Sequence, residues 1–337
     1  MLAGGIGSRF WPASTPERPK QLLALGGSRP LIEETVERAL ELAPVERLRI
    51  LAGEHLAGPF SKAMPELPDE TFWIEPRARG TAPVLAWAAW KLAKLDPDAV
   101  MVSLHADHLI RPVDAFVDAV RSAVEVARRD ELLLSLGARP SRVETAYGHI
   151  EKARALEPAG AAAAFRVNAF HEKPDAAAAA KYMQAGCLWN TGIFVWKASV
   201  LLEELRTHAP GVADPLPLID TEGDAAYFDA AEPSVIDRAA MERSDRVGVV
   251  ETDFAWDDLG SWEALSRSHE QDADGNVRLG STRIADGRNN IVYADGGEVV
   301  VLGVDDLIVV QSGGKTLVMP RARGSEMKEL LADAEDR

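Results

Sequence analysis

A chain of 337 residues with one cysteine, Cys187, is long enough for one large domain and a smaller one, and it excludes an internal disulfide framework or a cysteine zinc site. The 53 acidic residues against 37 basic ones give a net charge of −16, which argues against a nucleic-acid polymer or an anionic membrane as partner. No apolar run reaches bilayer length, and the start MLAGGIGSRF lacks the basic-then-apolar pattern of a secretory signal, so the expected compartment is the cytoplasm.

Met1, Leu2 and Ala3 precede a glycine-rich segment, a very short stretch for the strand that such a loop normally follows. Apolar residues at helical spacing predict helices over 31–42, 54–64, 80–95 and 113–129. They alternate with strand runs at 48–52, 71–74, 99–104 and 131–136. Continuous apolar strands separated by helices imply an α/β fold with a parallel sheet covered on both faces, binding ligands beyond the carboxyl ends of its strands. The pattern then becomes mixed, with strands expected at 163–171, 188–196 and 245–253 and helices at 175–185, 198–208 and 234–243. From 275 onward, short β-rich runs separated by Gly and Asp turns predict a small β-rich unit closed by a helix over 322–333. The polar stretch 268–276 is the expected linker, dividing the chain into 1–270 and 271–337.

Chemistry concentrates first at Gly4-Gly5-Ile6-Gly7-Ser8-Arg9, followed by Lys20. Glycines let backbone N–H groups approach phosphate oxygens. The loop is not a Walker A motif, because no Gly-Lys-Ser/Thr follows, and Phe10 breaks a G-x-G-x-x-G reading. Glycines alone suit a structural turn as well. Arg9 and Lys20 shift the balance, since a forked donor and a point charge after a glycine loop suit a polyphosphate leaving group.

The segment LAGGIGSRFWPASTPERPKQLLALGG resembles the signature of sugar nucleotidyltransferases, and its Trp11-Pro12 and Pro19-Lys20-Gln21 details resemble the GDP-mannose pyrophosphorylase branch. Further matches follow in order: Glu75-Pro76 with Gly80-Thr81-Ala82-Pro83, Ala106-Asp107-His108, Tyr147-Gly148-His149-Ile150-Glu151, Phe170-His171-Glu172-Lys173-Pro174, Trp189-Asn190-Thr191-Gly192-Ile193-Phe194, and Trp256-Asp257-Asp258-Leu259-Gly260-Ser261-Trp262. The resemblance covers roughly residues 1–270 and extends less distinctly to the end. It implies a Rossmann-like, mostly parallel sheet flanked by helices, with a small C-terminal domain like a left-handed β-helix. That domain is expected to cap the core or to mediate homodimerisation. The implied reaction joins GTP and mannose 1-phosphate into GDP-mannose and pyrophosphate, with Mg²⁺.

The resemblance also implies roles. Leu2, Ala3, Gly4, Gly5, Gly7 and Ser8, with Arg9 and Lys20, hold the triphosphate and stabilise departing pyrophosphate. Glu75, Gly80 and Thr81 read the base, where a carboxylate can accept from the two adjacent N–H donors of guanine. Asp107 and Asp258 carry the metal. Gly148, Glu172 and Asn190 contact the sugar, and Lys173 neutralises its phosphate. Spacing alone does not choose between the adjacent Asp257 and Asp258; the resemblance picks Asp258. His105, His108, His149 and His171 form no spaced metal cluster and receive no catalytic role. The chain departs from the family pattern at His105, where Pro is usual, at Gly80, where Asn is usual, and at Thr191, where Ser is common. The alternatives are a nucleotidyltransferase for another nucleotide or sugar, and a catalytically silent homologue that senses GDP-mannose.

Overall fold

The helices form where apolar residues recur every three or four positions. In the computed structural model, which describes residues 1–5, 7–327, 329 and 331, α1 spans Leu31–Leu40, α2 Glu54–Ala63, α3 Thr81–Leu95, α4 Val113–Asp130, α5 Ala176–Gln184 and α6 Ala198–His208. α4 buries Phe116, Val120, Ala123 and Val126–Ala127 on one face and leaves Arg121, Glu125 and Arg128 in solvent. α3 packs against α6 and buries an unbroken run, Ala82 through Ala89.

The strands are β1 Ile50–Gly53, β2 Phe72–Glu75, β3 Val100–Ser103, β4 Leu109–Arg111, β5 Leu133–Ala138, β6 His149–Ala155, β7 Ala164–His171, β8 Leu188–Lys197, β9 Val247–Thr252 and β10 Ala255–Asp257. Six of them form one sheet in the order β3-β8-β5-β9-β7-β6. Residues 1–3 supply the short first strand. Leu2 N–H donates to Leu104 O at 2.7 Å and Ala3 N–H to Leu51 O at 2.9 Å, stitching the β1–β2 pair to the end of β3. Strand direction follows from the pairings. β3 and β5 are both antiparallel to β8, β9 is parallel to β5, and β6 is antiparallel to both β7 and β8. Within this assembly only β7 and β8 therefore run against the rest, but they are interleaved with the others, so β5–β9 is the one parallel neighbour pair of the six-stranded sheet: the mostly parallel expectation holds for strand direction and not for pairing.

Four further strands, β11 Val277–Ala285, β12 Ile291–Leu302, β13 Leu307–Ser312 and β14 Lys315–Pro320, form a separate sheet whose first three members are parallel. This sheet shares a core with the glycine-loop arm: Phe10, Leu23 and Leu31 pack with Trp262, Tyr293, Ile308 and Met319. The Trp262 ring lies 4.9 Å from Phe10 and 5.3 Å from Tyr293. Arg18 adds an ion pair to Asp295, and Arg321 one to Glu263.

Two expectations change. Instead of an α-helix over 234–243, the chain makes a five-residue π-helix, Asp237–Met241. The helix expected over 322–333 starts later than predicted: Arg321–Glu326 is a 3₁₀ turn, and residues 327, 329 and 331 beyond it are helical; residues 328, 330, 332 and 333 lie outside the described residues. Among the described residues no helix is long and apolar enough to cross a membrane.

Candidate active site

The glycine loop is folded over a lysine stem. Gly7 has φ +74°, and a Cβ there would lie 2.3 Å from Lys20 Cβ, so both backbone conformation and space require glycine. Gln21 Nε2 holds the loop by donating to Gly5 O at 2.8 Å. Gly4, Gly5, Ser8 and Arg9 are exposed, and Arg9 makes no ion pair among the described residues. The N–H groups of Leu2 and Ala3 are committed to the sheet, which fixes where the loop begins.

Lys20 is buried, and its Nζ donates to Asp107 Oδ2 at 2.9 Å and to Asp258 O at 2.6 Å. Asp107 follows β3 and Asp258 follows β10. The three-residue ladder between β4 and β10, with Asp257 opposite Leu109, brings them together. The adjacent aspartates then divide their work. Asp257 Oδ1 accepts from Leu259 N–H at 2.8 Å and its Oδ2 from Arg267 at 3.0 Å, which makes it structural. Asp258 Oδ1 accepts from the Tyr147 hydroxyl at 2.8 Å and from Gly260 N–H at 3.1 Å. Sequence reading assigned Tyr147 no role; only the fold places its hydroxyl here.

Burial alone would raise the Asp107 carboxyl, but the Lys20 ammonium, with His108 and His105, holds it at about 2. Burial pushes Asp258 up, offset in part by the Tyr147 hydrogen bond and by Lys20. Burial, then the Asp258 and Asp257 charges, raise Tyr147, which keeps it a donor. Two carboxylates with hard oxygens beside one ammonium fit a divalent cation of the Mg²⁺ type. Linear spacing gathers no histidine cluster, yet the end of β3 sets ligand atoms of His105, Asp107 and His108 within 4.8 Å of one another. His108 Nδ1 already accepts the Trp256 indole N–H at 3.1 Å, and its ring stacks on His105 with centroids 4.5 Å apart. Burial keeps both imidazoles below their ordinary values, that of His108 well below.

Glu75 ends β2 and faces the loop: a Cβ on Gly4 would lie 3.9 Å from Glu75 Oε2. Gly4, Gly53, His55 and Glu75 line a cavity of about 440 Å³. Burial pushes the Glu75 carboxyl up, and the Arg79 N–H at 3.4 Å partly offsets that. Gly80 has φ 89° and ψ 177°, a region essentially restricted to glycine, and a Cβ would sit 2.3 Å from Ser234 O. This accounts for glycine at a position where the family pattern has Asn. The Thr81 hydroxyl accepts from Ile236 N–H at 2.9 Å, so it braces the 234–236 segment.

On the far side of Tyr147 the sugar candidates converge. A Cβ on Gly148 would lie 2.8 Å from Glu172 Oε2 and 3.4 Å from Asn190 Cβ. Asn190 N–H donates to Gly148 O at 2.8 Å. Lys173, exposed and at φ 45°, pairs with Glu172 at 3.0 Å. Asn190 Nδ2 donates to Asp237 Oδ1 at 2.8 Å, adding a carboxylate that sequence reading missed.

Residues 1–275 match the nucleotidyl transferase family, and residues 284–333 match the mannoseP isomerase/GMP-like β-helix domain. The chain belongs to the nucleotidyl transferase family. Among relatives of this nucleotidyltransferase, the alginate biosynthesis protein AlgA of Pseudomonas aeruginosa is 35% identical, with 99% of this chain and 71% of the relative covered. The mannose-1-phosphate guanylyltransferase of Escherichia coli strain K12 is 34% identical, covering 98% and 72%. The crystal structure of mannose-1-phosphate geranyltransferase from Thermus thermophilus superposes with a TM-score of 0.91 at 33% identity, covering 99% and 98% of the two chains.

Proposed function

We propose that this nucleotidyltransferase is a mannose-1-phosphate guanylyltransferase, converting GTP and mannose 1-phosphate to GDP-mannose and pyrophosphate. The observation that carries the reading is the junction of two clusters at Tyr147 and Gly148. On one side the Asp258 carboxylate takes the Tyr147 hydroxyl while Lys20 joins the Asp258 carbonyl to Asp107, and on the other Glu172 and Asn190 stand against Gly148. Relatives with that named activity align over nearly the whole chain.

In this reading a phosphate oxygen of the sugar 1-phosphate attacks the α-phosphorus of the nucleotide. The new P–O bond forms as the bond to the bridging oxygen breaks, and pyrophosphate leaves. The attacking oxygen is ionised at neutral pH, so no general base is needed. The obstacle is one anion approaching another, and catalysis rests on positioning and charge neutralisation. Lys173 guides the incoming phosphate, while Arg9, Lys20 and the N–H groups of the Gly4–Ser8 loop receive the pyrophosphate. Asp107 and Asp258 hold Mg²⁺, which when bound neutralises phosphate oxygens as a Lewis acid. Gly148 leaves room for the sugar, and Glu172 and Asn190 hydrogen-bond its hydroxyls. Glu75, with the Gly80-Thr81 backbone, reads guanine. In the same reading residues 1–270 are the catalytic domain and 271–337 the β-rich cap of a cytoplasmic enzyme.

The test is pyrophosphate release with Mg²⁺ over a matrix of GTP, ATP, UTP and dTTP against mannose, glucose and N-acetylglucosamine 1-phosphates. Turnover confined to GTP with mannose 1-phosphate is expected. Activity centred on another pair would retire the assigned substrates and keep the chemistry. Silence with GDP-mannose still bound would replace the enzyme by a sensor.

A further inference from the structure

The sugar cluster contains one carboxylate outside every matched motif. Asp237 opens the π-helix Asp237–Met241 and is only partly exposed. Such turns are rare and concentrate at functional sites. It makes no ion pair among the described residues. Its oxygen instead takes an N–H of the Asn190 amide at 2.8 Å. The other end of that amide is occupied twice: Asn190 Oδ1 accepts from the Ser135 hydroxyl at 2.8 Å and from Gly192 N–H at 3.1 Å. An amide has two acceptor sites and two donors. With both acceptor sites filled and one donor committed to Asp237, Asn190 can offer a ligand only its remaining N–H.

The placement of Asp237 is itself fixed from the nucleotide side. Ile236 N–H donates to the Thr81 hydroxyl at 2.9 Å, Ala82 N–H donates to Ser234 O at 3.1 Å, and that carbonyl lies where a Gly80 Cβ would be. The segment that carries Asp237 therefore rests on the start of α3.

We infer that Asp237 is a positioning residue of the sugar site, locking the Asn190 amide so that its free N–H faces a ring hydroxyl. This rests on the proposed sugar 1-phosphate reading. The ligand class follows from the donor set. Glu172 and Asp237 only accept when ionised, and Asn190 only donates, so the complement is a pyranose hydroxyl that does both. A deoxy analogue at that carbon leaves the Asn190 donor and a carboxylate unsatisfied together. Asp237 also faces the charges of Glu172 and Glu242. Burial, then Glu172, push its carboxyl up to about 6, while the Asn190 hydrogen bond opposes the shift. Below that pH it gains a proton and becomes a weaker acceptor for Asn190, so sugar kcat/KM falls on the acid side.

Asp237→Ala and Asp237→Asn test the assignment in the full chain. In Asp237→Ala, KM for the sugar 1-phosphate rises ~10–100-fold, the expected loss of a hydrogen bond to a charged group, while KM for the nucleotide stays within about twofold. Asp237→Asn keeps an acceptor, so it recovers part of that loss, and both variants lose Asp237's share of the acid limb in sugar kcat/KM, leaving only the limb set by the substrate phosphate's own second ionisation at about pH 6. Calorimetry with the nucleotide sugar and with the nucleoside diphosphate gives a second readout, in which only the former weakens. If Asp237→Ala does not fold, Asp237→Asn still reports the limb and the affinity ratio. Wild-type turnover with sugar KM unchanged and the acid limb intact in the folded variants overturns the inference. Wild-type silence across all sugar 1-phosphates overturns the function reading and this inference with it, a distinct result.

Discussion

Replacing Gly148 by Ala separates the needs of the fold from those of the substrate. The added Cβ would stand 2.8 Å from Glu172 Oε2, 3.1 Å from a Phe170 ring carbon and 3.4 Å from Asn190 Cβ. The tightest of these neighbours is the end of a flexible side chain, so the Glu172 carboxylate swings away and its 3.0 Å contact with Lys173 loosens. Gly148 is not at positive φ, so the backbone adds no strain, and overpacking against Phe170 costs about 1–2 kcal/mol. A displaced Glu172 gives up a charged hydrogen bond to the sugar, about 1.5–3 kcal/mol, which is ~10- to 150-fold in sugar kcat/KM. The assay is pyrophosphate release at saturating GTP with mannose 1-phosphate varied, alongside urea unfolding of the same preparation. A variant with sugar kcat/KM within threefold of wild type, or with the defect in GTP KM instead, would refute the placement of the sugar beside Gly148.

Other outcomes follow from single contacts. Gly80→Ala forces a side chain into a glycine-only conformation and against Ser234 O, and should destabilise the fold by ~2–4 kcal/mol; an unchanged urea midpoint would contradict this. Tyr147→Phe removes the hydroxyl that holds Asp258 ionised. Its carboxyl, already raised by burial, rises further, so the acid limb of kcat moves to higher pH; a pH–rate profile with the limb unmoved would count against Asp258 as the working carboxylate. Trp262→Ala empties a fully buried site between Phe10 and Tyr293 and should lower stability by ~3–5 kcal/mol in calorimetry or urea melts. A loss below ~1 kcal/mol would mean the C-terminal sheet does not lean on the loop.

What was legible in the sequence was local. The glycine loop and its two cations are a contiguous signal, and α1 to α4 declare themselves by one-sided apolar spacing. Within the catalytic half, the predicted strands 48–52, 71–74, 99–104 and 131–136 fall on β1, β2, β3 and β5. The elements that assemble the site are too short for periodicity to register. β4 and β10 have three residues each, yet their pairing sets Asp258 beside Asp107. Asp257 and Asp258 are indistinguishable by spacing, whereas in the structure Arg267 holds the former and the Tyr147 hydroxyl meets the latter. Apolar spacing at 234–243 reads the same for a π turn as for an α-helix, so the register that carries Asp237 to Asn190 left no mark in the pattern. In sequence Gly80 is only a departure from the family pattern; the structure gives it a steric reason in Ser234 O.

The shared core between the glycine-loop arm and the C-terminal sheet bears on how the protein is made. Lys20 is synthesised early, but its acceptors include the carbonyl of Asp258, and Phe10 beneath the loop waits for Trp262 and Tyr293. During translation the loop therefore emerges without its counter-charges or its apolar floor. A ribosome stalled between α6 and β9 presents helices α1 to α6 with no strand between β5 and β7 and with Lys20 lacking its contact to the Asp258 carbonyl. Chains cut anywhere before Asp258 lack the Lys20 acceptor, and for a cut between β8 and β9 the second piece must supply β9, β10 and the C-terminal sheet together.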